Sequence, residues 1–312
     1  MQKLLLRLWV RAPLPLQQAT ARCALCAVGY WLARLVLNGL CSAVQTLWLA
    51  GPGVGAAPAV WQAVQWGGTL VGGTLALAVP VALAGRLWPD RFELRLRPAR
   101  SSLLRLALPV YLGGAQLFGL LAGLVGKTTG SSGQVVLPDT LPALLLAFLA
   151  LCVMPAVLEE LLFRGVAQGL VRPYGAVAAV IAQAVLFALL HGSLSGVVYA
   201  LPAGLFFGLL AEQTGSILPG MLLHLCNNLL SFVQVLLQGA GYGQLANLFS
   251  LGCLVVFPLW AAAALWAARK TIRPALRPLR PGVSAAALLD CREWRFTVLV
   301  LLASALLDAV LR

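Results

Sequence analysis

Charge is what this sequence lacks most. Of its 312 residues only 10% are charged, nine of them acidic, while 61% are hydrophobic. A soluble domain carries about 25% charged and about 45–50% apolar residues. A water-soluble core is therefore excluded, and the solvent is mostly lipid. The fold class that follows is all-α, a polytopic transmembrane helical bundle. Histidine is nearly absent too: His191 and His224 are the only two. There is no H-E-x-x-H string, so a zinc pair on one helical face is excluded. No internal repeat is visible, which removes the paired half-repeats of many transporters. Cys23 and Cys26 form a C-x-x-C with no second pair. An odd total of seven cysteines, mostly in apolar segments, points to packing rather than redox or metal chemistry. No cleavable signal is expected either, because the Leu4–Val10 run is short and interrupted by Arg7.

What is present is a series of long apolar stretches. They run over 23–49, 68–87, 103–126, 141–171, 174–191, 196–212, 216–238 and 244–268, with a last one at 294–311 that carries Asp308. Each matches the roughly 20 residues that cross a hydrocarbon core. About eight spans are expected, within seven to nine, the last of them spanning or interfacial. The 141–171 stretch is long for one crossing, and Pro155 is its natural kink point. The whole chain reads as one membrane domain.

The net charge of +13 is sorted by side. Basic clusters lie at Lys3, Arg7 and Arg11, at Arg86 to Arg105, at Arg164 and Arg172, and at Arg269 to Arg280. Alternating spans put all of them on one face of the membrane. The intervening loops 50–67, 127–140, 192–195 and 239–243 contain Lys127 as their only lysine or arginine. This is the positive-inside pattern, and it orients the N-terminus to the cytoplasm. Topology and anionic lipid headgroups account for the basic excess, so no nucleic acid is called for.

Against this background the buried polar residues stand out, because an ionisable group inside a span is costly and marks function by default. They occur as E-E-L-L-F-R (Glu159–Arg164), F-A-L-L-H (Phe187–His191) and H-L-C-N-N (His224–Asn228). Residues four apart share a helical face, so Arg164 pairs with Glu160 and not with Glu159. Glu159 is left with no local counter-charge, the setting of a general base acting on water. His224 and Asn228 project together, suited either to an oxyanion or, for His224, to a metal. Phe187 lies one turn before His191 and shields it from lipid. Glu159, His191 and His224 also match a His₂Glu zinc set, although from three separate helices. If the fourth helix runs to Arg172, Glu159 lies about 20 Å deep, His191 about 25 Å and His224 about 12 Å, at 1.5 Å per residue. Ordinary tilt brings such depths together.

These strings, in this order, resemble the CPBP intramembrane proteases, which include the type II CAAX prenyl endopeptidases. E-E-L-L-F-R-G-V-A-Q-G (159–169) is similar to that family's first block, and A-E-Q-T-G-S-I-L-P-G-M-L-L-H-L-C-N-N (211–228) to its last. The resemblance covers about 141–230 and implies a catalytic core there, between N-terminal transmembrane helices with basic loops (1–140) and a C-terminal transmembrane helix, basic loop and final span or interfacial helix (231–312). It implies that Glu159 activates water with help from His191, that His224 and Asn228 stabilise the oxyanion or take part in metal binding, and that Glu160 and Arg164 support them. It leaves open two chemistries, a metalloprotease with zinc or another divalent cation and a glutamate-type protease without one. It also implies a cavity open to the cytoplasm.

The implied partners are the lipid bilayer and a membrane-anchored protein or peptide substrate, and the composition points to a bacterial inner membrane. Other readings of the same residues are a non-catalytic scaffold, a proton relay in a transporter, and a cysteine mechanism through Cys152 or Cys226. Arg164 alternatively anchors a span end by snorkelling, and Glu212 reads as an interfacial cap.

Overall fold

Each apolar run of the sequence becomes a helix. A computed structural model describes residues 14–50, 58–88, 94–98, 101–129, 135–272 and 276–311. The expectations placed on the Leu4–Val10 run, on Lys3, Arg7 and Arg11, and on Arg91, Arg100 and Arg273 lie outside these residues. The helices are α1 (Leu14–Ala50), α2 (Pro58–Leu87), α3 (Ser101–Thr129), α4 (Leu141–Tyr174) and α5 (Ala176–Leu189). They continue with α6 (Leu194–Thr214), α7 (Leu218–Gly239), α8 (Gly243–Ala268) and α9 (Arg292–Leu311). No strand occurs among the described residues. Seven helices, α1 to α4 and α6 to α8, are long and apolar enough to cross a membrane. The protein is thus an all-α, multi-pass membrane protein. The first two helices begin earlier than the apolar runs suggest, since polar residues such as Gln17 and Gln62 extend them at the ends.

The eighth expected span, α5, has only 14 residues. At 1.5 Å per residue it reaches about 21 Å. It is short because it is enclosed: Ala178, Ala179, Ala182, Gln183, Leu186 and Phe187 are all buried. Small residues let its neighbours approach. A Cβ built on Gly204 of α6 would lie 2.9 Å from Ala184 Cα. Likewise, α3 meets α8 at Gly113, where a Cβ would stand 2.9 Å from the Phe257 carbonyl oxygen. Van der Waals packing of small residues is the main source of helix association in lipid. The leucines and valines left exposed on α1, α2 and α8 form the outer surface of the bundle.

The last apolar stretch forms α9, which is not among the seven long apolar helices. It lays Trp294, Thr297, Leu301 and Ala305 into the bundle, against α1, α5 and α6. Phe296, Leu299 and Val310 stay exposed on its other side.

Helix α4 does not simply kink at Pro155. It widens twice into π-helix, at Leu149–Val153 and Leu161–Ala167. The Met154 N–H donates to the Leu149 carbonyl five residues back, just before the proline that has no N–H to give. Between the two π segments lies one short α-helical piece, Met154–Glu160, and both carboxylates sit at its end.

At the ends near the basic clusters, α6 stops at Gly215, whose φ of 68° is the left-handed conformation that closes a helix. The chain re-enters as α7 with Pro219 in its first turn. Glu212 does more there than cap. Its carboxylate accepts from Arg172 Nε at 3.0 Å, Gln168 Nε2 at 2.8 Å and Arg95 Nη1 at 3.4 Å, tying α4 and α6 to the 94–98 segment. The 276–283 segment is laced beside it. Gln213 and Arg277 exchange two hydrogen bonds, and the Val283 N–H donates to Tyr174 at 2.7 Å.

Candidate active site

Glu160 is the hub of the buried polar cluster. It is 0% exposed, and its Oε1 accepts from Arg164 Nη1 at 2.9 Å. The expected i,i+4 pair is therefore present. The same oxygen lies 3.2 Å from His224 Nδ1. An ionised carboxylate can only accept, so Nδ1 carries the proton in this contact. Glu160 Oε2 rests against α7 at Gly220, where an added Cβ would come within 2.7 Å. Only glycine lets the carboxylate sit this close.

Arg164 is 3% exposed and is not a snorkelling anchor. Its guanidinium lies over the Phe187 ring at 4.4 Å and over Phe207 at 5.1 Å. A cation between two aromatic faces and a carboxylate keeps favourable partners without water. Phe207, on α6, also stacks on the His224 ring at 5.6 Å. Phe187 meets both imidazoles edge-on, His191 at 4.9 Å and His224 at 6.1 Å. Phe187 is thus a wall shared by both histidines, and His191 itself stays exposed.

Glu159 points the other way, as its 100° offset from Glu160 requires. Its side chain is 16% exposed, and its Oε2 stands 3.9 Å from His224 Nε2. With His191 it lines a cavity of about 330 Å³ between α1, α2 and α4. His191 donates through Nδ1 to the Phe187 carbonyl at 2.8 Å, which leaves Nε2 as an acceptor in the neutral ring. Glu159, Glu160, Arg164, Phe187, His191 and His224 are therefore brought together from α4, from α5 with the turn that follows it, and from α7.

Asn228 is not among them. It lines a separate cavity with Leu137, Leu151 and Phe232, and its Oδ1 is 3.5 Å from Asn227 Nδ2. Its neighbour Asn227 is the buried one and accepts from the Tyr199 hydroxyl at 2.6 Å. Among the described residues, no group of three or more His, Cys, Asp and Glu side chains is arranged to hold a metal ion. Glu159 and His224 form a pair only. Cys152 is buried in a second apolar cluster.

Sequence reasoning missed four members of the site: Tyr30, Arg34, Phe207 and Gly220. Arg34 was detectable, as an arginine in the middle of the first apolar stretch. It lines the cavity, and its Nη1 donates to the Leu190 carbonyl at 3.0 Å, next to His191. The other three carry no charge pattern and emerge only from long-range packing.

The cavity does not lead toward the basic loops. On that side Phe187, Phe207 and the Glu160–Arg164 pair fill the bundle. Instead it adjoins a second cavity, about 550 Å³, with which it shares Leu37, Asn38, Thr69, Gly72 and Gly73. Together they form a groove between α1 and α2 that extends to Val44 and Trp61, toward the weakly charged side. This differs from the cytoplasmic opening that the resemblance implies. The glycines of α2 leave the groove open there, while large aromatic side chains close the opposite end.

No curated protein and no solved structure matches the chain. Residues 141–230, which carry Glu159, His191, His224 and Asn228, match the family model described as Rce1-like, type II CAAX prenyl endopeptidase Rce1-like, and at the level of that family this supports a protease acting within a membrane.

Proposed function

We propose that the protein is an intramembrane endopeptidase in which Glu159 activates water against a peptide bond of a membrane-anchored substrate. The observation that carries this reading is the pairing of Glu159 with His224 across 3.9 Å at a cavity that also holds His191. A water molecule bound there meets a carboxylate and an imidazole at once. Glu159 takes its proton as the oxygen attacks the carbonyl carbon. His191 Nε2 accepts the second hydrogen of that water and fixes its lone pair toward the substrate.

The developing oxyanion falls to His224. Glu160 orients the ring through Nδ1, and Arg164 orients Glu160, so that Nε2 faces the reacting atoms. As an imidazolium, both of its nitrogens donate. The proton held by Glu159 then passes to the leaving amine, and the carboxylate is restored. Asn228 lines a separate cavity with Leu137 and Leu151 and is given no step. No step passes through a metal. The substrate segment approaches through the groove between α1 and α2, and the N-terminus is assigned to the cytoplasm of a bacterial cell.

The direct test uses purified protein in lipid vesicles with two peptides, a farnesylated C-terminal CAAX peptide and an unprenylated single-span peptide. Release of a C-terminal fragment by the wild type, absent with Glu159→Gln, supports the reading. The peptide that is cut also names the substrate class.

A further inference from the structure

Lys127, in the last turn of α3, is the one lysine or arginine of segments 50–67, 127–140, 192–195 and 239–243, and it stands at a cavity that has no part in the site above. This cavity, about 400 Å³, lies between α3, α7 and α8. Its wall carries Gln116, Lys127, Tyr199, Asn227, Gln234 and Ser250, and no carboxylate. The helices agree on its placement. Counting from the ends of α3 and α7 and the start of α8, Lys127 lies about 3 Å deep, Gln234 and Ser250 about 8–10 Å, and Asn227 and Gln116 about 18–20 Å. It is a shaft that opens on the weakly charged side and reaches mid-membrane.

The shaft exists because α3 presents glycine to it. A Cβ on Gly123 would meet nothing within 4 Å, and one on Gly119 would meet only Tyr199, at 3.7 Å. Amide groups at mid-membrane depth are costly unless they face water or a ligand, while the Lys127 ammonium sits exposed at the mouth. Tyr199 donates to Asn227 Oδ1 and the Ser250 hydroxyl to the Ala246 carbonyl, which leaves the Gln116 and Gln234 amides and the Lys127 ammonium to face a ligand, with no acidic side chain on the wall to neutralise the cation. On the rim, Leu120 and Leu124 are exposed to the bilayer. Donors inside and leucines outside suit an amphiphile with an anionic head.

We propose that this shaft binds the phosphate head of an anionic amphiphile, drawn from the leaflet on the weakly charged side, with Lys127 as its charge partner. The shared chemistry is a phosphate mono- or diester, from a phospholipid or from solution. The site is independent of the catalytic reading, since none of its lining residues carries a step of that reaction.

The test is native mass spectrometry of the full chain in micelles doped with phosphatidylglycerol or phosphatidylcholine, with and without inorganic phosphate. One retained phosphatidylglycerol is expected, weakened at least about tenfold in Lys127→Gln, as fits loss of one charged hydrogen bond. Gly123→Leu, which fills the open space, abolishes retention. Competition by inorganic phosphate identifies the phosphate group alone as the recognised feature. Its failure to compete identifies the membrane lipid as the source. Glu159→Gln binds lipid as the wild type does. Unfolding temperature without added lipid checks that the variants fold, and if Gly123→Leu does not, Lys127→Gln decides. Equal retention of the two lipids, or retention unchanged in Lys127→Gln, overturns the proposal.

Discussion

His224 Nδ1 lies 3.2 Å from Glu160 Oε1, the same oxygen that accepts from Arg164 at 2.9 Å. That shared atom links α4 to α7 and sets the direction of the imidazole. The two carboxylates of the E-E string therefore have different tasks. Glu160 is buried and holds His224 in place, whereas Glu159 faces the cavity and is assigned the chemistry.

Removing Arg164 should be costly, because it strands a buried carboxylate. Arg164→Ala is expected to destabilise the fold by about 3–5 kcal/mol. Arg164→Lys should recover only part of this, since a lysine ammonium cannot lie flat between Phe187 and Phe207. Thermal or denaturant unfolding in detergent measures both. Unfolding of Arg164→Ala indistinguishable from wild type would contradict the buried pair.

Gly220 is predicted to matter although it has no side chain. In Gly220→Ala the new Cβ would stand 2.7 Å from Glu160 Oε2. The carboxylate must move, and His224 with it. Activity should fall about 100-fold, the scale of a displacement near 1 Å in a catalytic group. The readout is kcat at unchanged expression. Full activity would show that Glu160 does not position His224.

Much of this site is legible from spacing alone. Glu160 with Arg164, and Phe187 with His191, are contacts between residues four apart along one helix or its closing turn, and that spacing dictates them. The helices themselves follow from long apolar runs, with the basic residues gathered at one side, which lipid sorts as directly as any solvent can. Contacts between helices are another matter. Phe207 stacks on His224 and Gly220 receives Glu160 because α4, α6 and α7 cross at one depth, and no local pattern encodes that crossing. The same limit explains Asn228. Spacing puts it beside His224, but the packing of α7 turns it toward Leu137 and Leu151 and buries Asn227 instead. Nor does spacing foretell the direction of the cavity, which depends on Gly68 and Gly72 of α2 facing Cys41 and Leu37 of α1.

Chelation tests the metal-free assignment. Prolonged EDTA or phenanthroline treatment should leave the cleavage rate unchanged, and added zinc should not raise it. Loss of activity restored by zinc would instead place His191 and His224 as ligands.

The measurement closest to the central claim compares membrane-protein termini by mass spectrometry in cells expressing wild type or Glu159→Gln at equal levels. New termini that appear with the wild type and vanish with Glu159→Gln are the predicted result, and they identify the natural substrate. Identical termini, with both proteins folded and the natural substrate present, would contradict Glu159 as the base and favour a scaffold of the same fold.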